Sequence, residues 1–107
     1  MVIKSEKNMQ IHLVVAVLVL IAGWLFNINT TEWLLCLLCF GLVFGAEMVN
    51  TAIETLVDLI SPQKHELAGK AKDMAAGAVL LCAIFAACIG LIIFVPKVWY
   101  LLFSLFN

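Results

Sequence analysis

Apolar and polar positions alternate along this chain in long blocks. Three apolar runs, over residues 11–26, 33–60 and 71–95, are separated by two short polar breaks. A hydrocarbon core of about 30 Å takes roughly 20 helical residues at about 1.5 Å each. The second and third runs are therefore long enough to cross a bilayer with helix to spare, and the first reaches that length by extension through its polar flank. NINTTE, at 27–32, reads as a tight connection. SPQKHELAGK, at 61–70, is the other connection, with Pro62 ending the second helix. Pro96 predicts a third break, after which the aromatic segment 97–107 forms a short interfacial tail on the outer surface. The expected architecture is an all-α membrane protein, one domain over residues 1–107, with three transmembrane helices per protomer.

Composition supports this reading. The chain is 65% hydrophobic and 12% charged, whereas soluble domains carry about 25% charged residues. So short a chain forms one unit, and most of its surface must face lipid or copies of itself; oligomerisation is the expectation. A net charge of −1 argues for no nucleic acid and no acidic partner. The first run begins close behind Met1 and ends without a small-residue cleavage site, so it reads as a retained span. Cys36 and Cys39 have C-x-x-C spacing, but they and Cys82 and Cys88 lie inside apolar runs that offer no polar shell for a metal. They read as packing residues.

The lysines set an orientation. Lys4, Lys7, Lys64, Lys70 and Lys72 fall on the side of the N-terminus and the second connection, the NINTTE turn has none, and Lys97 is the sixth. The N-terminus and second connection should face the cytoplasm of a bacterial inner membrane. Trp24 and Trp33 bracket the outer turn as interface aromatics. Asn29 begins an N-x-T sequon that carries little weight so close to the bilayer.

The second run holds an anomaly. In AEMVNTAIETLVD, residues 46–58, Glu47, Asn50, Glu54 and Asp58 form one helical stripe within about 80° of arc. An ionised group near the bilayer centre costs about 2.5–3.5 kcal/mol on the insertion scale, so the stripe must face protein or water. Counting inward from Trp33 places Glu47 about a turn and a half beneath the cytoplasmic interface and Glu54 and Asp58 at or beyond it. Gly41 and Gly45 just before it form a G-x-x-x-G that admits a second backbone. One amide would suffice to join helices. Three mutually repelling carboxylates point instead to function.

Other charges converge on the same face. Glu6 precedes the first span, and Lys72 and Asp73 open the third in HELAGKAKDMAAGAV. Acids around one or two lysines suit a magnesium nucleotide, supplying hard oxygen ligands for Mg²⁺ and an ammonium for phosphate. Lys72 on its own reads as a snorkelling interface lysine, and its company changes that. Ala68, Gly69, Ala71 and Ala75 to Ala78 let the third helix pack close beside the site. There is no Walker A loop and no protein-kinase glycine loop. His12 and His65 read as interface and loop residues.

EMVNTAIETLVD and HELAGKAKDMAAGAVL, with EKNMQIH before them, resemble the signature blocks of the bacterial integral-membrane lipid kinases, diacylglycerol kinase and its undecaprenol kinase relatives. The resemblance covers nearly all of the chain. It implies a homotrimer with active sites shared between subunits, transferring the γ-phosphoryl group of Mg·ATP to a lipid alcohol, either diacylglycerol or undecaprenol. It also implies Glu47 as general base with Asn50 beside it, Glu6 and Glu54 on Mg²⁺ and phosphate, Lys72 on the phosphates, and Asp58 and Asp73 positioning the nucleotide. Two departures leave a catalytically impaired homologue as an alternative: only MVIKS precedes Glu6 where the family has an amphipathic surface helix, through a misassigned start or a missing interfacial cover, and Gln10 stands where the family usually has arginine. The rival reading is a small proton-coupled transporter, which would place its carboxylate near the midplane with access from both sides. Here the charges gather toward one face.

Overall fold

The computed structural model describes residues 2–63 and 65–106, with side chains from Lys7 onward. Three helices follow one another: α1 Val2–Leu25, α2 Thr30–Ile60 and α3 Glu66–Phe106. All three are long and apolar enough to span a membrane, and no strand occurs among the described residues. This is a membrane protein of the expected all-α class.

α2 is the central helix. It packs against both α1 and α3, which among the described residues do not pack on each other along their backbones. In its most apolar stretch 28% of residues are buried within the protomer, against 11% for α1 and 6% for α3. A stripe of charge therefore has somewhere to hide on α2 that the other helices do not offer.

The turn between α1 and α2 is locally determined. Asn27 takes φ 52°, a left-handed conformation that asparagine tolerates better than most residues. The Ile28 N–H then donates back to the Gly23 carbonyl at 3.1 Å. Gly23 lets the turn close tightly, because a Cβ there would lie 2.7 Å from Cη2 of Trp33 and 3.0 Å from Cδ1 of Ile28, and those side chains would have to shift. Asn29 caps α2: its Oδ1 accepts from the Glu32 N–H at 2.8 Å, while Glu32 Oε1 accepts from the Asn29 N–H at 3.1 Å. The other carboxylate oxygen of Glu32 takes Lys97 Nζ at 2.8 Å, fastening α3 to the same turn. Beneath it, Ile28, Cys36 and Ile93 form a small buried cluster.

At the opposite end α2 stops at Ile60, where the Ser61 N–H bonds the Val57 carbonyl at 2.7 Å and Pro62 follows. His65 starts α3, its Nδ1 accepting from the Leu67 N–H at 3.1 Å.

The break expected at Pro96 is absent. α3 continues through it to Phe106, so the aromatic segment beyond Pro96 is the end of that helix and not a separate element. Proline removes one hydrogen bond, to the Ile92 carbonyl, but anchors on both sides hold the helix together. Ile93 is buried, Phe94 lies against Phe26 at 6.3 Å, and Lys97 is tied to Glu32. In lipid an interrupted helix would also leave several backbone groups unpaired, where continuation leaves one.

Candidate active site

The polar stripe of α2 is one continuous feature with two environments. Glu47 and Asn50 sit inside the protomer at 1% and 7% exposure, while Glu54 and Asp58, nearer the helix end, are half-buried. Period and position dictate this: spacings of three and four keep the four residues on one face, and α1 and α3 cover that face at Glu47 and Asn50 and open toward its end.

Three partnerships link the stripe. Asn50 Nδ2 donates to Glu54 Oε1 at 3.2 Å. Lys72, from the second turn of α3, donates to Asp58 Oδ1. His12, from α1, places Nε2 at 3.4 Å from Glu47 Oε2 and meets the ring of Phe44 edge-on at 6.3 Å. Thr51, also on α2, turns its hydroxyl back to the Glu47 carbonyl at 3.0 Å. Two buried oxygens, Glu47 Oε1 and Asn50 Oδ1, have no hydrogen-bond partner among the described residues.

Of the residues singled out from sequence, Glu47, Asn50, Glu54, Asp58 and Lys72 are thus brought onto one edge of the bundle. Asp73 is exposed and makes no hydrogen bond or ion pair among the described residues. Glu6 lies on α1, but its side chain falls outside the described residues, as does Lys64. Gln10 is exposed. No group of three or more histidine, cysteine, aspartate or glutamate side chains capable of holding a metal occurs among the described residues.

His12 was read as an interface residue, yet it is the side chain that reaches Glu47. A lone histidine on an apolar face has no spacing to flag it. The available signal was its place in EKNMQIH, one turn below the polar flank of α1.

Recesses adjoin the stripe along its length, and Asn50 itself lines one of about 360 Å³ with Gly45, Ile53 and Ala75. An apolar groove of about 230 Å³ runs between α1 and α3 over α2, with His12 at its rim and Val19, Phe40, Val43 and Phe44 among its walls. At the other end a polar cleft of about 240 Å³ is bordered by Asp58, Lys72, His65, Gln63 and Ser61.

A buried carboxylate facing a histidine, an amide–carboxylate pair one to two turns on, and a lysine–aspartate pair at a polar cleft form a site graded from apolar to ionic. The family pattern of prokaryotic diacylglycerol kinase matches residues 1–94. The chain belongs to the prokaryotic diacylglycerol kinase family. Membership makes it a lipid kinase, a transferase with ATP as co-substrate. Among its relatives is the undecaprenol kinase of Bacillus subtilis, 47% identical over 94 residues, which are 88% of this chain and 76% of that protein. The diacylglycerol kinase of Synechocystis is 41% identical over 86% of this chain, and that of Escherichia coli K12 is 43% identical over 64%. The matches span about half of those two proteins, 53% and 55%. The comparisons lend no support to a transporter or to an impaired homologue.

Proposed function

We propose that this chain phosphorylates the hydroxyl of undecaprenol, with diacylglycerol as the second substrate to test. The undecaprenol kinase match is longer and covers more of its relative than either diacylglycerol kinase match. The observation that carries the chemistry is the buried Oε1 of Glu47, which has no partner among the described residues. A buried acceptor without a donor costs about 1–3 kcal/mol, and a substrate hydroxyl is the donor that removes this cost. Glu47 then acts as general base. The hydroxyl proton passes to Oε1, the alcohol oxygen forms its bond to the γ-phosphorus, and the bond from that phosphorus to the bridging oxygen breaks to release ADP. Asn50, one turn on, fixes Glu54 through Nδ2.

Lys72 serves the phosphates at the polar cleft, exchanging its hold on Asp58 for phosphate oxygens, and Asp58 and Asp73 orient the nucleotide. Glu54 suits Mg²⁺: it is a half-buried hard-oxygen ligand held in place by Asn50. With no three-ligand cluster among the described residues, the remaining ligands come from phosphate and water, as is usual for this ion, with Glu6 as the second carboxylate. When bound, Mg²⁺ supplies charge neutralisation for the transferring phosphoryl group. The apolar groove with His12 at its rim fits the lipid chain, leading the alcohol toward Glu47.

The assembly is a homotrimer in the inner membrane, its site facing the cytoplasm. Among the described residues, an added Cβ would meet nothing within 4 Å at Gly41, Gly45, Gly69, Gly77 or Gly90. Those open helix faces match close packing by neighbouring copies. Orientation rests on the lysines: Lys97, the one on the far side, is neutralised by Glu32.

The test is a mixed-micelle assay with radiolabelled ATP, Mg²⁺ and each lipid in turn. Glu47→Gln should lower turnover by about 10²–10⁴-fold, the usual contribution of a positioned base, with the oligomer intact. Undiminished turnover refutes the base assignment.

A further inference from the structure

The apolar groove exists because α1 and α3, among the described residues, pack on α2 and not on each other. Its two ends differ. At one end stands His12, which reaches Glu47 at 3.4 Å and meets Phe44 edge-on. At the other, Val19, Cys36 and Ile89 line the groove and also pack into the buried cluster of Ile28 and Ile93, which closes it. The groove thus leads from the proposed base toward the α1–α2 turn and stops there. Apart from His12, its lining among the described residues is apolar or thiol.

Size selects what can lie in it. An apolar cavity of about 150 Å³ accommodates the six carbons of benzene, so by proportion about 230 Å³ accommodates about nine. Length gives the same answer. From Cys36 to Phe44 along the floor is eight residues, about 12 Å at about 1.5 Å each. An extended chain with C–C bonds of about 1.5 Å advances about 1.25 Å per bond, so about ten carbons in single file fill that length. Two chains side by side would need twice the volume. A helix about 10 Å across would need about 900 Å³ over the same length, so a second copy of this chain does not fit either. The width is set on α3 by Ala83, Ala86 and Ala87, whose spacing keeps them on one face.

We propose that this groove admits one hydrocarbon chain, over about its first ten carbons from the hydroxyl, and that Ala83, Ala86 and Ala87 determine this specificity. The proposal rests on the reading of Glu47 as base and narrows its substrate to a single-chain, ester-free prenyl alcohol. Diacylglycerol fits poorly for two reasons. Its second chain has no room, and its ester oxygens, a few bonds from the hydroxyl, would lie among Val43, Phe44 and Ala83 with His12 as the one polar side chain of the lining. Buried acceptors left without donors weaken binding.

Kinetics in mixed micelles provide the first test. Ala86→Leu adds three carbons to a space for about nine and should raise KM for undecaprenol by about 10–100-fold, with KM for Mg·ATP unchanged. Ala86→Val, a smaller step, should fall between. Cys88→Leu adds bulk to the same helix at an exposed position outside the groove and should alter neither constant. A fall in undecaprenol affinity shared by Cys88→Leu, or none in either Ala86 variant, overturns the proposal.

A second measurement needs no turnover. A prenyl alcohol bearing a diazirine on its chain is photolysed with the full-length Glu47→Gln protein in micelles, and the label is located by mass spectrometry. Label should gather in residues 12–19, 36–44 and 83–90, be displaced by undecaprenol, and resist diacylglycerol at the same mole fraction. Residues 98–106, apolar and exposed but outside the groove, should take up only label that undecaprenol does not displace. Equal displacement by diacylglycerol, or a groove that stays unlabelled because another chain of the assembly fills it, overturns the proposal. Retained turnover in Glu47→Gln overturns the base assignment instead, while the labelling pattern still reports what the groove holds.

Discussion

Replacing Lys72 by methionine separates a structural ion pair from a phosphate ligand by magnitude. Lys72 and Asp58 pair across α2 and α3, and each side chain is 37% exposed. An ion pair open to solvent is screened and pays side-chain entropy, so its worth to folding is about 0–1 kcal/mol. Methionine keeps most of the aliphatic stem and its packing. Unfolding in a detergent titration should then shift by less than about 1 kcal/mol. The kinetic effect belongs to a different scale. A charge-assisted hydrogen bond to phosphate contributes about 1.5–3 kcal/mol, which at 1.36 kcal/mol per decade is about 10- to 150-fold in kcat/KM for ATP. Arginine at the same position should recover part of the rate, since it keeps the charge but changes the donor geometry. The assay is initial-rate kinetics at varied Mg·ATP beside the unfolding titration. A variant whose rate falls only as far as its folded fraction falls, or whose ATP dependence is unchanged, would show the pair to be structural and remove Lys72 from the site.

Two further substitutions probe the frame that holds the site. Gly23→Ala forces a Cβ to 2.7 Å from the Trp33 ring, and overpacking of that kind costs about 1–3 kcal/mol; loss of protomer stability in thermal or detergent unfolding should show it, and an unchanged midpoint would mean that the α1–α2 turn repacks freely. Asn29→Ala removes the cap that holds the first turn of α2 and should cost about 1 kcal/mol in the same experiment, with kcat little altered because the cap lies at the far end of α2 from the stripe.

Much of this fold was legible because the membrane simplifies the problem. Runs of apolar residues longer than a bilayer is thick admit one regular structure, and Asn27, Asn29 and Pro62 mark its interruptions. Pro96 misled for a physical reason. Proline's local penalty is readable from sequence, whereas the compensation comes from Ile93, Phe94 and Lys97 meeting partners far away in the chain. The stripe was legible because four polar residues on one apolar helix share a period. His12 was not, since its significance lies in a contact with a different helix, at a position where one histidine among valines and leucines carries no period at all. The glycines fall between these cases. The spacing of Gly41 and Gly45 announces a close approach, but nothing among the described residues of the protomer makes it, and spacing cannot say which surface does.

On the proposed reading of Glu47 as base, the arrangement also gives a reason for this chemistry to sit on α2 rather than at the water's edge. A base for a lipid alcohol has to lie where the alcohol lies, beneath the headgroups, whereas groups that grip a nucleotide need water for the nucleotide to arrive. A single helix rising about 1.5 Å per residue meets both demands. From Glu47 to Asp58 is eleven residues, about 16 Å along the axis, and the environment changes over that distance from 1% exposure to an open polar cleft. Charge becomes easier to maintain toward the cleft and harder toward Glu47, so each carboxylate on the stripe meets a different requirement for compensation. Asp58 has a lysine, Glu54 has an amide donor, and Glu47 has a histidine on one oxygen and, among the described residues, nothing on the other. The least compensated oxygen is the deepest one, and its need for a donor is what a lipid hydroxyl arriving through an apolar groove would satisfy.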